Sequence, residues 1–425
     1  MGLVVQGGYV LDGRGHEWRS GKIVIENGRI SRVQRGGSGT ASRENAVLDA
    51  EGMWVLPGLI DCHVHITKGT AVGDREAWIC GTSVDDEAEQ GFFELTSAAA
   101  IDALRGAHHA AATLAAGYTT VRDLGGARGY ADIALREAIR RGRVCGPRVL
   151  ACGGGLAMTG GHWWNVGLIE IDGEVEARRM ARRQLKAGAD VIKVMASRAG
   201  SAERCPGGPE LTVGEMQEVC EVARRCGVRV SAHAVGAESV KNAVLAGVDT
   251  IEHGCFSDEE ALRLMSDRGV VLVTTLYAYD QQAKRSEELG WPRYVADRSR
   301  EIMNAYPEVI RSALEMGVPI APGSDTGQAI LTPHGKNAAE LVLLSELVGL
   351  SAEDVIVLAT SEAARALGME DQIGSIEEGK RADLVLFDRD PRSDVNVLCQ
   401  RNAIRAVVRG GTVFRPGEGM PSIAT

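Results

Sequence analysis

The chain has 425 residues, 44% of them hydrophobic and 4% aromatic, with 47 basic and 57 acidic side chains and a formal charge of −10. That apolar content supplies a sizeable core and argues against a disordered chain. The acidity argues against nonspecific nucleic-acid or anionic-membrane binding. No run approaches the ~20 apolar residues of a membrane span. The N-terminus, "MGLVVQGGYVLDGRG", carries no signal-peptide pattern. Nine cysteines without a CxxC pair fit reduced thiols in a cytoplasmic setting. Cys220 and Cys226, six apart on an expected helix, read as small buried residues.

In chain order, the first 57 residues read as short strands punctuated by glycine. "KIVIENGRISRVQ" predicts a hairpin, Lys22 to Glu26 and Arg29 to Gln34, turning at Asn27-Gly28. "AVLDAEGMWVLPG" predicts one more strand, ending at Pro57. From residue 58 the rhythm changes. Apolar runs at 58–66, 118–125, 147–154, 190–197, 228–235, 248–254, 270–276 and 318–325 alternate with helical segments, several ending in glycine. Eight strand-helix units predict a parallel sheet closed into a (β/α)8 barrel over 58–365. An open doubly wound sheet is the alternative. After about residue 365, "DQIGSIEEGKRADLVLFDRDP" and "AIRAVVRGGTVF" read as strands again. Residues 1–57 and 366–425 are therefore expected to combine into a small β-sandwich domain beside the barrel.

Chemistry-bearing residues recur at the strand ends. In "GLIDCHVHI", His63 and His65 are two apart, so on a strand they point to one face. A single histidine there would read as a hydrogen-bonded structural residue; the pair at the C-terminal end of a first barrel strand reads as a metal chelate. Lys193 interrupts "DVIKVMAS", His233 lies in "VSAHAVG", His253 in "TIEHG" and Asp325 in "APGSDTG", each at the same end of a later strand. An unpartnered lysine inside an apolar barrel is costly, so Lys193 needs a partner or a modification.

The set "HVH", "IKVMAS", "AHA", "EHG" and "GSD", with the C-terminal "GSIEEGKRADLVLFD", resembles the metal-dependent amidohydrolase superfamily, in its prolidase-like and imidazolonepropionase-like branch. The resemblance spans nearly the whole chain. It implies that Lys193 reacts with CO2 to give a carbamate bridging two divalent metal ions, commonly zinc. His63, His65 and Asp325 would hold one ion, and His233 and His253 the other. A carbamate anion ligates a cation where an ammonium does not. A hydroxide shared between two metals is nucleophilic at neutral pH, and Asp325 would act as general base and then general acid. The implied reaction is hydrolysis of a C–N amide in a small molecule, a dipeptide, N-acyl amino acid or aromatic amide. The alternatives are an ester, lactone or organophosphate cleaved by the same site, a mononuclear cyclic-amidine hydrolase or deaminase, and a scaffold without metal. Relatives of this kind form oligomers, so a homo-oligomer is expected.

Specificity is expected in the loops after the strands. His162 of "TGGH" matches a motif of the resembled family and is expected to contact substrate. Trp163 and Trp164 follow as a lining for a bulky apolar group, the alternative being one of them packed under the loop. Arg198 reads as a surface arginine or as an anchor for a substrate carboxylate. The acidic loop 67–93 reads as a lid or a subunit contact. His16, His108, His109 and His334 read as structural, with His334 opening a helix. Where prolidase-like relatives often carry a tyrosine two residues after the fifth-strand histidine, this chain has Val235, which is expected to line the substrate pocket but cannot donate a hydrogen bond, so the oxyanion role falls to His162, a metal or another group.

Overall fold

The computed structural model describes residues 2–36, 46–68, 87–164, 167–202, 204–327 and 331–416. All eight apolar runs form strands: Leu59–Val64, Tyr118–Asp123, Arg148–Ala151, Val191–Met195, Arg229–Gly236, Thr250–Phe256, Val271–Thr274 and Ile320–Pro322. Every residue of the first, second, fourth and seventh is buried. Strands covered on both faces read as such unbroken apolar runs, because neither face meets water. Three of the intervening helices, Glu174–Ala187, Ala237–Ala246 and Glu259–Arg268, end on Gly188, Gly247 and Gly269, all left-handed. That conformation satisfies the last carbonyls at little steric cost to glycine.

The neighbours pair in parallel, but the ladder is not one closed sheet. The first three strands form one ladder; the fourth to eighth form another, extended by Leu156–Ala157 and Ile169–Glu170. At the first gap the fourth strand takes its partner from this short extension, Leu156 opposite Val194. At the other gap, a single bridge joins Val64 to Thr326. There Asp325 N donates to the His63 carbonyl and His65 N to the Thr326 carbonyl, both at 2.8 Å. The eighth strand is only three residues long and ends at Pro322, which has no N–H to extend a ladder. The expected closed barrel is thus realised as two parallel ladders around a shared apolar core that includes Leu59, Val121, Val194, Ala232, Ile251 and Ile320.

Strands from both chain ends make a nine-stranded sheet. Leu384–Phe387 pairs antiparallel with Trp54–Pro57 and with Ile404–Arg409. Val5, Ile23, Ile25, Leu384, Leu386 and Val408 form its core. The predicted hairpin is present: Glu17–Glu26 pairs with Arg29–Arg35, and Asn27 and Gly28 both have positive φ, 52° and 74°. Two such residues in succession match the right-handed twist of the flanking strands.

Three local readings need correction. "AVLDAEGMWVLPG" makes two strands, Ala46–Asp49 and Trp54–Pro57, because Gly52 turns the chain at φ 73°. Before Leu384, the segment "DQIGSIEEG" forms turns instead of a strand. Cys220 is buried, but Cys226 sits exposed at the end of the helix Val213–Arg225. Of the loop 67–93, residues 69–86 lie outside the described residues. Among the described residues, no helix is long and apolar enough to cross a membrane.

Candidate active site

His63, His65, Lys193, His233, His253 and Asp325 line one cavity of about 270 Å³ at the C-terminal ends of the parallel strands. The imidazoles cluster tightly. Ring centroids of His63 lie 5.2 Å from His65 and 5.0 Å from His253, and those of His233 and His253 are 4.5 Å apart. Asp325 Oδ1 is 2.9 Å from His65 Nε2 and 3.7 Å from His63 Nε2. Two glycines permit this approach. A Cβ on Gly323 would lie 2.5 Å from the His63 Cβ, and one on Gly327 would lie 2.3 Å from the His65 carbonyl oxygen. Nothing larger fits on either side of Asp325.

Each histidine has one ring nitrogen engaged from outside the cluster. His63 Nδ1 meets Glu252 at 2.8 Å, His65 Nδ1 the Gly125 carbonyl at 2.9 Å, and His253 Nδ1 the Thr275 hydroxyl at 2.7 Å. His233 differs: its Nε2 faces the Arg198 carbonyl at 3.3 Å, which leaves Nδ1 for the cavity. Such outer bonds select the tautomer and aim the other nitrogen inward. Burial pushes all four rings below their ordinary range, His233 to about 3, with the Lys193 charge as its second cause. Neutral imidazole is the form that ligates a metal, so the donor set fits a cation centre. His63, His65 and Asp325 also form a tight three-ligand group by themselves.

Lys193 is 1% exposed. Burial lowers its amine to about 8, against the opposing pull of Glu252. A lysine in that range spends part of its time as neutral amine at physiological pH, the form that adds to CO2.

Below the histidines lies a charged layer that the sequence reading missed. Glu252 is completely buried and accepts from Arg122 Nη2 at 2.8 Å and from the hydroxyls of Ser231 and Thr250, as well as meeting His63. Arg122 also donates through Nε to the Cys62 carbonyl at 2.7 Å. Alternation along a strand would send Glu252 and its neighbour His253 to opposite faces. His253 instead adopts φ 77°, and both side chains reach the site. A buried Arg on the second strand and a buried Glu on the sixth were the available signal, since each needs an opposite charge.

The pocket walls carry the remaining expectations. His162, Trp163, Trp164 and Arg198 all line the cavity. The His162 ring lies 4.5 Å from His233, and the His162 backbone N–H donates to Glu210 at 2.9 Å. Trp163, at φ 61°, packs on His65 with centroids 4.6 Å apart, while Trp164 is 51% exposed. Glu210 feels the Arg198 charge, so this guanidinium already has an acid nearby. Val235 is not among the lining residues. The strand register shifts between Ala234 and Gly236, and the bulge turns Val235 into the core, fully buried. Lys68, Tyr279, Trp291 and Tyr294, unforeseen from sequence, also line the cavity, with Lys68 Nζ 3.0 Å from the centre of the Trp163 ring. His109 and His334 stack on each other and hold backbone carbonyls at Ile66 and His65. They are structural as expected, although His334 lies in a turn and not at a helix start.

Comparisons with known proteins agree with this geometry. A family model described as the amidohydrolase family matches residues 54–414. Ochratoxinase of Aspergillus niger is 28% identical over 444 aligned residues, covering 98% of this chain and 87% of that protein. Imidazolonepropionase of Cupriavidus metallidurans is 27% identical, covering 94% and 92%. The crystal structure of a Xaa-Pro dipeptidase with bound methionine superposes with a TM-score of 0.84 at 31% identity, covering 98% of this chain and all of that one. The strand-end histidines, the parallel strands that carry them and these matches lead to one conclusion: the chain belongs to the amidohydrolase family, in its prolidase-like and imidazolonepropionase-like branch, and is a hydrolytic enzyme.

Proposed function

We propose that this cavity holds two divalent cations and hydrolyses a C–N amide bond, in a dipeptide, an N-acyl amino acid or an aromatic amide. The observation that carries the reading is the donor set: four neutral imidazoles, each aimed by an outer partner, converge with Lys193 and Asp325 on one cavity. His63, His65 and Asp325 would hold one ion and His233 and His253 the other, with Lys193 between them as a carbamate. In that modification the neutral amine forms an N–C bond to CO2 and loses a proton, so a buried cation becomes an anionic ligand. When bound, the ions supply Lewis acidity and lower the pKa of water into the neutral range; zinc suits the imidazole-rich set.

The protein's own groups do the rest. Asp325, beside His65 and His63, takes the proton of the attacking water and passes it to the leaving amine. His162, held by Glu210 and packed near His233, orients the scissile group. Trp163, Trp164, Trp291 and Tyr294 offer apolar walls for a bulky substituent, and Arg198 offers positive charge for a carboxylate. The Xaa-Pro dipeptidase relative, whose substrates are dipeptides, supports the amide bond.

Metal analysis and a substrate panel test the reading. About two ions per chain are expected, with turnover of N-acyl amino acids or dipeptides. One ion per chain favours a mononuclear cyclic-amidine hydrolase or deaminase. Turnover confined to esters, lactones or organophosphates refutes the amide assignment while keeping the site.

A further inference from the structure

Hydrolysis of a carbonyl substrate places negative charge on the carbonyl oxygen, and a fixed donor aimed at that oxygen lowers the barrier. Tyr279 lies at the start of the helix Leu276–Arg285, directly after the seventh strand. It is 5% exposed, lines the cavity and stands edge-on to His253, with ring centroids 5.9 Å apart. The far side of its ring packs at right angles against the buried Tyr306, at 6.5 Å, so the phenol is braced.

The surroundings of the hydroxyl matter most. A Cβ placed on Gly200 would lie 3.3 Å from the Tyr279 oxygen and 3.1 Å from Val235 Cγ1. The phenol oxygen therefore lies in the corner between the fourth-strand loop and the fifth strand, where Gly200 brings no side chain and the core-facing Val235 only methyl groups. Its polar neighbour is the Cys255 thiol. Sulfur is a weak acceptor, so an oxyanion competes for the same proton on favourable terms.

We propose that Tyr279 is a catalytic residue whose O–H donates a hydrogen bond to the carbonyl oxygen of the scissile group as it becomes an oxyanion. The assignment rests on the hydrolytic reading above. The attacking water oxygen forms a bond to the carbonyl carbon, the C=O π pair moves onto oxygen, and Tyr279 stabilises that charge without giving up its proton. Collapse restores the C=O bond and expels the amine, which takes its proton from Asp325.

The test compares wild type with Tyr279→Phe, which keeps the ring and its packing. The variant is expected to retain its metal content and KM while kcat falls about 10²–10³-fold, the usual effect of removing one such donor. Calorimetry with the metal-loaded proteins gives a second readout. A methylphosphonate-capped amino acid, a tetrahedral anion, is expected to bind at least about tenfold more weakly to the variant, whereas the free amino acid product binds both equally. Unchanged kcat, or equal phosphonate affinity in the two proteins, overturns the assignment and leaves the proposed function standing. A wild type that neither hydrolyses carbonyl substrates nor binds the phosphonate overturns both. Cys255→Ala, which removes only the sulfur neighbour, is expected to keep full turnover; a loss matching that of Tyr279→Phe would show that the corner acts through packing and would also overturn the assignment.

Discussion

Glu252 is where stability and chemistry are most tightly joined. Its carboxylate faces His63 Nδ1 and Arg122 Nη2, each at 2.8 Å, with no solvent exposure. Glu252→Ala would leave the Arg122 guanidinium buried without its carboxylate, a loss of about 3–5 kcal/mol for a broken buried pair, and would confound metal loss with unfolding. Glu252→Gln is the sharper probe. The amide oxygen can still accept from Arg122, Ser231 and Thr250 where Oε1 does now, but its NH2 replaces the oxygen that faces His63 Nδ1, so the guanidinium keeps an acceptor while losing its compensating charge, at a net cost of about 1–3 kcal/mol. Its second effect falls on the metal. With weaker support at Nδ1, His63 is a poorer ligand, and disturbing such an outer partner typically lowers metal affinity about 10–100-fold, equal to about 1.4–2.8 kcal/mol. Competition with a chelator of known affinity, followed by metal counting, reads this directly; a thermal melt of the metal-free protein reads the structural part separately. Metal affinity within about twofold of wild type would refute the claim that Glu252 aims His63.

Lys193→Ala is expected to lose bound metal and turnover, with partial recovery on adding a short carboxylic acid that supplies the missing anion; full activity without additive would rule out a bridging carbamate. Asp325→Asn should fold normally by circular dichroism while turnover drops by at least about 10², and undiminished turnover would remove Asp325 from proton transfer. Glu340 gives a pH prediction away from the ligands. Burial pushes its carboxyl up to about 8, and its Oε1 has no hydrogen-bond partner among the described residues. The folded protein thus keeps a proton that the unfolded chain has released, so stability falls as pH rises from about 4.5 to about 8, by up to about 1.4 kcal/mol per unit. Glu340→Gln should flatten that slope and raise the melting temperature at pH 8; parallel pH profiles for the two proteins would contradict it.

The histidines, Lys193 and Asp325 were legible in the sequence because imidazole, amine and carboxylate are conspicuous in apolar runs, and because parallel strands bring their C-terminal ends to one place. What lies around them was less legible for local reasons. Strand alternation assigns Glu252 away from the site, and only the left-handed backbone of His253 brings both residues to bear. The same rule put Val235 with His233 on the pocket face, but a bulge at that point turned it inward. Lys68 and Tyr279 follow strand ends with no motif to mark them, so their cavity positions emerge only from tertiary packing. The break in the ladder was likewise hidden: apolar runs declare strands but not which edges pair, and a three-residue strand ending in proline leaves little to pair with.

The junction between the eighth and first strands has a consequence for how the site survives thermal motion. It is fastened by the amides of Asp325 and His65, the same residues whose side chains are proposed above to hold a cation. Fraying there would not loosen a bystander edge; it would pull ligands apart in the same step that opens the fold. Deuterium uptake at those two amides therefore doubles as a clock for site disassembly, and loading with metal should slow it far more than uptake in the terminal sheet.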